Sequence, residues 1–307
     1  MQKNNMNRKS TQARLALLAT AVIWGSSLTV VKHSTDTIPP LFLLALRFSI
    51  AAAVLMLVFR KKMRLLDRGY LKSGCLIGFF LFLAYCSQTI GVTTAMPGKS
   101  SFLSAPYCVI VPFLCIVTER RMPTIHNLLA AVLCICGISL AVFGNGLLLT
   151  MGDGLAVLSA FLFASHIASV SACGKGKDPV LITIMQFLSA AVFSWTGAFL
   201  FETVDIHLLN GTALYGTLYL ALACTALSLL FQNIGQKYTD PSEVSLILSL
   251  ESVFGVFFGV IFFREALDLP IVIGFLMIFT AIIITETEPS FLNMKKTRTS
   301  ALDQTSD

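Results

Sequence analysis

Glu251, Arg47 and His166 are ionisable side chains set inside long apolar runs. A charge at mid-bilayer costs about 2.5–3.5 kcal/mol on insertion scales, so such a residue needs a partner or a wet cavity. Glu251 has two readings. It can titrate protons or anchor a cationic substrate group, or it can accept hydrogen bonds from neighbouring helices as a structural carboxylate. Arg47 reads as a structural intramembrane charge, because Gln186 fills the matching place in a second copy of its motif. His166 could bind substrate or relay a proton, or serve as an interhelical donor. Polar and aromatic neighbours form a second group of candidates for lining a cavity: Tyr85 with Gln88, Ser104 with Tyr107, together with Gln232 and Trp24. Tyr85 and Gln88, and Ser104 and Tyr107, are spaced i, i+3 and share a helical face. Helix-to-helix hydrogen bonding would explain these groups equally well.

These residues must be positioned by elements that suit lipid. Of the 307 residues, 56% are hydrophobic and 12% charged, with mean hydropathy +0.81. A soluble domain carries about 25% charged residues, so a soluble enzyme, a disordered chain and a disulfide scaffold are excluded. Ten apolar segments are predicted, at 13–32, 39–59, 70–92, 99–118, 124–143, 154–173, 179–200, 212–236, 242–263 and 270–286. Each is about twice the length of a barrel strand and apolar all round, which predicts helices. Arg47 then lies roughly 12 Å, and Glu251 roughly 13 Å, from a span end at 1.5 Å per residue. In a core of about 30 Å both are near the middle.

Basic residues give the orientation. Lys32, Lys99 and Arg264 fall on one side and Arg47 inside a span; the rest of the 22 Lys and Arg fall on the other. This asymmetry predicts that both termini are cytoplasmic. The basic start (Lys3, Arg8, Lys9 and Arg14) resembles a signal peptide but has no clear cleavage site, so a retained first helix is expected.

Two motifs recur. Gln88-x-Ile90-Gly91-x5-Pro97-x3-Ser101 matches Gln232-x-Ile234-Gly235-x5-Pro241-x3-Ser245, and Pro40-x6-Arg47-Phe48-x2-Ala51-Ala52 matches Pro179-x6-Gln186-Phe187-x2-Ala190-Ala191. Glu119 and Glu265 form a looser pair, each closing the fourth span of its half. The expected fold class is an all-α membrane protein with ten transmembrane helices as two inverted five-helix repeats. Its parts are a 1–12 cytoplasmic segment, repeats at 13–143 and 154–286, and a polar cytoplasmic tail at 287–307. Inverted repeats are typical of secondary transporters, which bind substrate near the midplane where the repeats meet.

Several residues carry a family resemblance. Ala21-Val22-Ile23-Trp24-Gly25, Arg47-Phe48, Gly98-Lys99-Ser100-Ser101-Phe102-Leu103 leading to Pro112, Ser249-Leu250-Glu251-Ser252-Val253-Phe254, and Phe263-Arg264-Glu265-Ala266-Leu267 follow one another over about residues 13–286. In that order the chain resembles the EamA-type transporters of the drug/metabolite transporter superfamily. Ser252 departs from the pattern, since the family often has Pro after this Glu, and a helix break there is less secure. The resemblance implies movement of a small metabolite or drug-like molecule, often outward, by alternating access.

The expected function is therefore a multi-pass transporter in the cytoplasmic membrane, leaning to export, with Glu251 as candidate proton coupler. Its cavity is expected from spans 1, 3, 4, 6, 8 and 9. Expected partners are a small-molecule substrate and the lipid bilayer, not nucleic acid; monomer and homodimer both stay open. No cofactor, ATP or metal is indicated. A membrane enzyme is disfavoured by the lack of His-Glu-x-x-His, Gly-x-Ser-x-Gly or a mid-span carboxylate pair. A channel or scaffold is the other alternative, although channels favour oligomeric rings of charge. A multiply charged anion is a poor substrate, because only Arg47 and the flanking Lys32 and Lys99 are on hand. The cysteines read as packing groups, Gly25, Gly78, Gly137, Gly255 and Gly259 as helix contacts, and Gly174-Lys175-Gly176-Lys177 as a basic inter-repeat linker without P-loop spacing.

Overall fold

Apolar runs of this length close their backbone hydrogen bonds within themselves, and every regular element among the described residues is helical. The computed structural model describes residues 2–119, 122–143, 150–209, 211–239, 241–264 and 267–287. Its helices are α1 (Gln2–Thr35), α2 (Pro40–Val58), α3 (Arg68–Thr94), α4 (Pro97–Ser104), α5 (Tyr107–Glu119), α6 (Ile125–Phe143), α7 (Met151–Cys173), α8 (Pro179–Phe201) and α9 (Gly211–Tyr219). A π-helical segment, Leu220–Leu227, joins α9 to α10 (Ser228–Tyr238), followed by α11 (Pro241–Ser249), α12 (Glu251–Phe263) and α13 (Leu269–Thr287).

Eight helical stretches are long and apolar enough to cross a membrane, with shorter apolar runs at Ile125–Leu140 and Leu269–Ile284. The two shorter runs fall on the predicted segments 124–143 and 270–286. The expected count of ten full-length spans is thus not reached by length and composition alone. The first helix begins at Gln2, well before residue 13, so the 12/13 boundary is no break in structure. Glu265 and the tail from 288 lie outside the described residues.

The packing is reciprocal between the halves. Helix α2 packs against its repeat partner α8, and α6 against its partner α13. Helix α1 packs on α10 and α12, while its repeat partner α7 packs on α3, α4 and α5. Close approach at these crossings depends on small residues. A Cβ at Gly25 would collide with Cβ of Phe254 on α12, and one at Gly255 with Ser101 on α4. At the α3–α7 crossing, a Cβ on Gly152 would lie 2.5 Å from the Gly91 carbonyl oxygen. Cβ atoms on Gly78 and Gly137 would meet the carbonyls of Gln186 and Gly274 at 2.6 and 2.8 Å. Cys134 is buried and Cys136 exposed, as i, i+2 residues on one helix should be.

Polar groups secure the helix ends. Lys99 Nζ reaches Asp153 Oδ2 at 3.0 Å, and Asp153 forms a capping box with Thr150 at the start of α7. The Glu202 carboxylate, just beyond α8, accepts the Leu41 and Phe42 amides at 2.8 Å each and so caps α2. At the opposite end of the same pair, Lys62 Nζ reaches Asp178 Oδ2 at 2.6 Å. Asp178 also caps α8 through the Val180 amide. Partial burial pushes the Asp178 carboxyl up, but the Lys62 ammonium and the Val180 and Leu181 amides more than offset this. Its pKa therefore lies below the ordinary 3.8.

A carboxyl depressed on folding stabilises the fold above its unfolded pKa, and that stability fades as pH falls through the folded value. Asp178→Asn is expected to lower the melting temperature in detergent at neutral pH. The half-exposed pair contributes at most about 1 kcal/mol. The gap from the unchanged protein is expected to close as pH falls below 3.8, as read by a melting series across pH.

Candidate functional site

The two halves meet at a small central cavity lined by Trp24, Ser27, Leu28, Tyr85, Gln88, Ser101, Tyr107, Phe163, Ile167, Gln232, Leu248 and Glu251. These residues come from α1, α3, α4, α5, α7, α10, α11 and α12, which cover sequence segments 1, 3, 4, 6, 8 and 9. Its volume is about 20 Å³, room for a single water.

Two helix interruptions place the polar walls. The segment from Pro97 to Glu119 is broken between α4 and α5 at Ala105-Pro106, where bonds of the i to i+3 type replace the α pattern. Pro106 has no N–H to give and accounts for this break. The segment from Pro241 to Phe263 is interrupted at the matching place, Leu250, although Ser252 stands where a proline was expected. Here the Ser252 hydroxyl donates to the Ser249 carbonyl at 2.7 Å, as the Ser104 hydroxyl does to Ser101 at 3.0 Å. Serine hydroxyls compete with the ladder for carbonyls in this way. Tyr107 opens α5 and Glu251 opens α12, and the spacing of the longer repeat makes them counterparts.

The third irregularity is Leu220–Leu227. The Thr225 and Ser228 hydroxyls donate to carbonyls five residues back, Leu220 at 2.7 Å and Ala223 at 2.9 Å. Trp24 Nε1 donates to the Cys224 carbonyl at 2.7 Å. π-segments leave carbonyls out of register with the α ladder, and the indole fills that need. Arg47 Nε donates to Thr225 Oγ1 at 3.1 Å, and its guanidinium lies 4.9 Å from the Tyr85 ring centroid. Tyr85 meets Phe48 and Phe163 edge-on at 5.5 and 5.4 Å, which fixes the ring bounding the cavity. Tyr85 thus stands between Arg47 and the cavity that Glu251 also lines. Among the described residues no ion pair joins Arg47 to Glu251, and no hydrogen-bond donor reaches the Glu251 carboxylate.

Of the expected cavity residues, Trp24, Tyr85, Gln88, Tyr107, Gln232 and Glu251 are brought together. Two are not. His166 is buried beside the cavity face of α7 without lining the space, and its Nε2 lies 3.2 Å from Gln186 Oε1 instead of at the expected place in the cavity. Ser104 is fully buried behind the wall and accepts from Gln88 Nε2 at 3.5 Å, so it positions the glutamine rather than facing the space. Arg47 lies outside the lining, as does its counterpart Gln186. Ser27 and Leu28 were missed although they follow Trp24 by i+3 and i+4, a spacing that puts them on one face. Phe163 and Ile167 share such a face on α7, and their apolar side chains carry no polar signal. Ser101 was legible only as a repeat residue. The buried Tyr107 hydroxyl and Gln232 Oε1 have no protein partner among the described residues. Buried polar atoms in that condition call for a polar ligand or water.

Comparison with known proteins is decisive for kind. Residues 12–143 and 150–287 each match the EamA-like transporter family. The chain belongs to the EamA-like transporter family. This EamA-like chain is 29% identical over 276 residues to an uncharacterized transporter of Archaeoglobus fulgidus, covering 90% of the chain and 86% of that protein. It is 25% identical over 276 residues to the uncharacterized transporter YoaV of Bacillus subtilis, covering 86% and 93%. It is 23% identical over 243 residues to the protein PagO of Salmonella typhimurium, covering 76% and 79%. A solved crystal structure shares its fold at TM-score 0.67 and 16% identity, covering 90% of the EamA-like chain and 97% of the other. The EamA-like chain is thus a multi-pass membrane transporter.

The Trp24 bond gives a direct test. Trp24→Phe keeps the ring but strips the donor from the Cys224 carbonyl, a buried loss of about 1–3 kcal/mol. A lower melting temperature in detergent is expected, with Trp195→Phe as the comparison. Trp195 bonds the Ser49 hydroxyl instead of a main-chain carbonyl, so its loss is expected to cost less.

Proposed function

We propose that this chain is a secondary transporter of ten spans, built as two inverted five-helix repeats, which moves a small organic molecule across the cytoplasmic membrane by alternating access. The reciprocal packing of α1 and α7, α2 and α8, and α6 and α13 supports a pseudo-two-fold relation. An odd number of spans per half makes that relation an inversion. The excess of basic residues on one side supports cytoplasmic termini.

One observation carries the reading: repeat-related residues from both halves, Gln88 with Gln232 and Tyr107 with Glu251, converge on one cavity. Interrupted helices in corresponding positions of two repeats are the best pointer to a transport site. The chemistry there favours a small molecule with an amine or other donor for Glu251, polar atoms for the two amides, and an apolar portion against Trp24, Tyr85 and Phe163. At about 20 Å³ the cavity must widen to admit such a molecule, which suits rocking of the halves around it. Export is the direction the family resemblance favours, and Glu251 is the coupling group, taking up a proton on one side and releasing it on the other.

Glu251→Gln tests the coupling. In reconstituted vesicles, substrates found by comparing metabolites of cells with and without the protein are expected to move in response to a pH gradient. In the variant that response is expected to fall at least tenfold while the fold is retained by size-exclusion profile. Unchanged proton dependence in the variant would discard the coupling role. Turnover of a candidate without movement across the bilayer would discard transport of that compound in favour of enzymatic chemistry.

A further inference from the structure

At the end of the molecule where basic residues gather, the inter-repeat linker and the α10–α11 junction enclose a half-open cleft of about 660 Å³, separate from the central cavity. Its walls include Lys175, Lys177, Asp178, Asn233, Lys237 and Thr239. A cleft of 300–1,000 Å³ is the usual range for small-ligand sites.

Among the described residues the cleft lining carries three lysines and one acid, Asp178, which is held by Lys62 and by the Val180 amide. Lys177 Nζ donates to the Cys173 carbonyl at 2.8 Å, which anchors its ammonium on the cleft wall at the end of α7. Helices α8 and α11 both begin at the cleft, with Pro179 and Pro241 in its lining, so two positive helix ends add to the field. Two buried polar atoms have no partner among the described residues, the Thr239 hydroxyl oxygen and Asn233 Oδ1. Asn233 is only 3% exposed, and its amide nitrogen is fixed by donation to Thr183 Oγ1 at 2.8 Å. Its orphan oxygen is therefore a pure acceptor, while the Thr239 hydroxyl can donate. A simple anion would match the charge of the lysines and accept from Thr239, but it would offer nothing to Asn233. A ligand carrying both an anion and a free hydroxyl satisfies all of them.

We propose that this cleft binds a hydroxyl-bearing phosphate ester of the glycerol phosphate kind, with the phosphate held by Lys175, Lys177, Lys237 and Thr239 and a hydroxyl donated to Asn233. Such a group comes from two sources, the headgroup of a glycerol-based anionic lipid in the adjoining leaflet or a soluble glycerol phosphate. The linker binds phosphate without being a P-loop: ammonium groups and helix ends supply the charge, with no glycine-rich cradle.

The test uses the full chain in nanodiscs and reads ligand binding without transport. One arm adds glycerol 3-phosphate to protein in phosphatidylcholine discs and measures binding by calorimetry at constant ionic strength. The other mixes phosphatidylglycerol into the discs and counts retained lipid by native mass spectrometry. Charge near a membrane surface is worth roughly a fivefold change in affinity per lysine. The triple variant Lys175→Gln, Lys177→Gln, Lys237→Gln is therefore expected to bind about a hundredfold more weakly. A control removing the same charge on that end, Lys61→Gln, Arg64→Gln, Arg68→Gln, is expected to keep binding within a fewfold. Thr239→Val, which alters one hydroxyl, is expected to weaken binding about tenfold and serves if the triple variant does not fold. Saturable binding in the first arm supports the proposal with a soluble ligand, and selective retention in the second supports it with a lipid headgroup. Binding in neither arm, equal binding by Thr239→Val and the unchanged protein, or equal loss in the control would overturn it.

Discussion

In hydrocarbon a main-chain amide or carbonyl has no solvent to turn to, so every departure from the α-helical ladder must be answered by another protein group. This chain departs at three places within its spanning helices: Ala105-Pro106, Leu250 and Leu220–Leu227. Each is answered locally by a hydroxyl, from Ser104, Ser252, or Thr225 with Ser228. The third is also answered across helices by the Trp24 indole. The first two adjoin the central cavity through Tyr107 and Glu251, and the third is tied to it through Trp24. Irregular backbone is tolerated at membrane depth only where protein or a cavity receives it, and here the same constraint that permits the breaks gathers the polar side chains beside them.

The buried charges follow the same logic at different strengths. Arg47 is enclosed completely behind the wall; its Nε has a hydroxyl acceptor and its guanidinium an aromatic face, while Nη2 has no partner among the described residues. Glu251 is also buried but has no such support among the described residues, and it lines the small central cavity. A charge with partners reads as architecture, and one without reads as a group reserved for something that comes and goes. The pairing of Tyr107 with Glu251 across the repeat sharpens this contrast. Equivalent backbone positions present a neutral hydroxyl from one half and a carboxyl from the other, so the site is symmetric in shape and asymmetric in charge.

Much of this was legible in the sequence. Hydropathy predicts the helices because lipid forces the backbone to pair with itself, and the repeated glutamines stood as candidates for a cavity lining beside the reading of helix-to-helix hydrogen bonds. The helix break at Leu250 was obscured because proline is the signal a reader looks for, whereas a serine hydroxyl can divert a carbonyl just as locally. The π-segment had no sequence signature at all; Thr225 and Ser228 read as ordinary polar residues until their bonds five residues back are known. His166 was misplaced because helical depth is readable from residue counting while azimuth is not. Depth put it level with the cavity, and its rotation on α7 turned it toward Gln186. The two shortest apolar runs were located at 124–143 and 270–286, but their shorter reach was not foreseen, since sequence hydropathy predicts segments and not how far each one extends across the bilayer.

The α2–α8 pair is pinned at both extremities, by the Glu202 carboxylate at one and by Lys62 with Asp178 at the other. Two rods tied at top and bottom resemble an axle, held at both ends against sliding and splaying. Under the proposed alternating access, opening of the centre would fall to the helices around this pair rather than to the pair itself. If the halves rock as proposed, the ends of α2 and α8 would keep their spacing while the far rims of the molecule trade places.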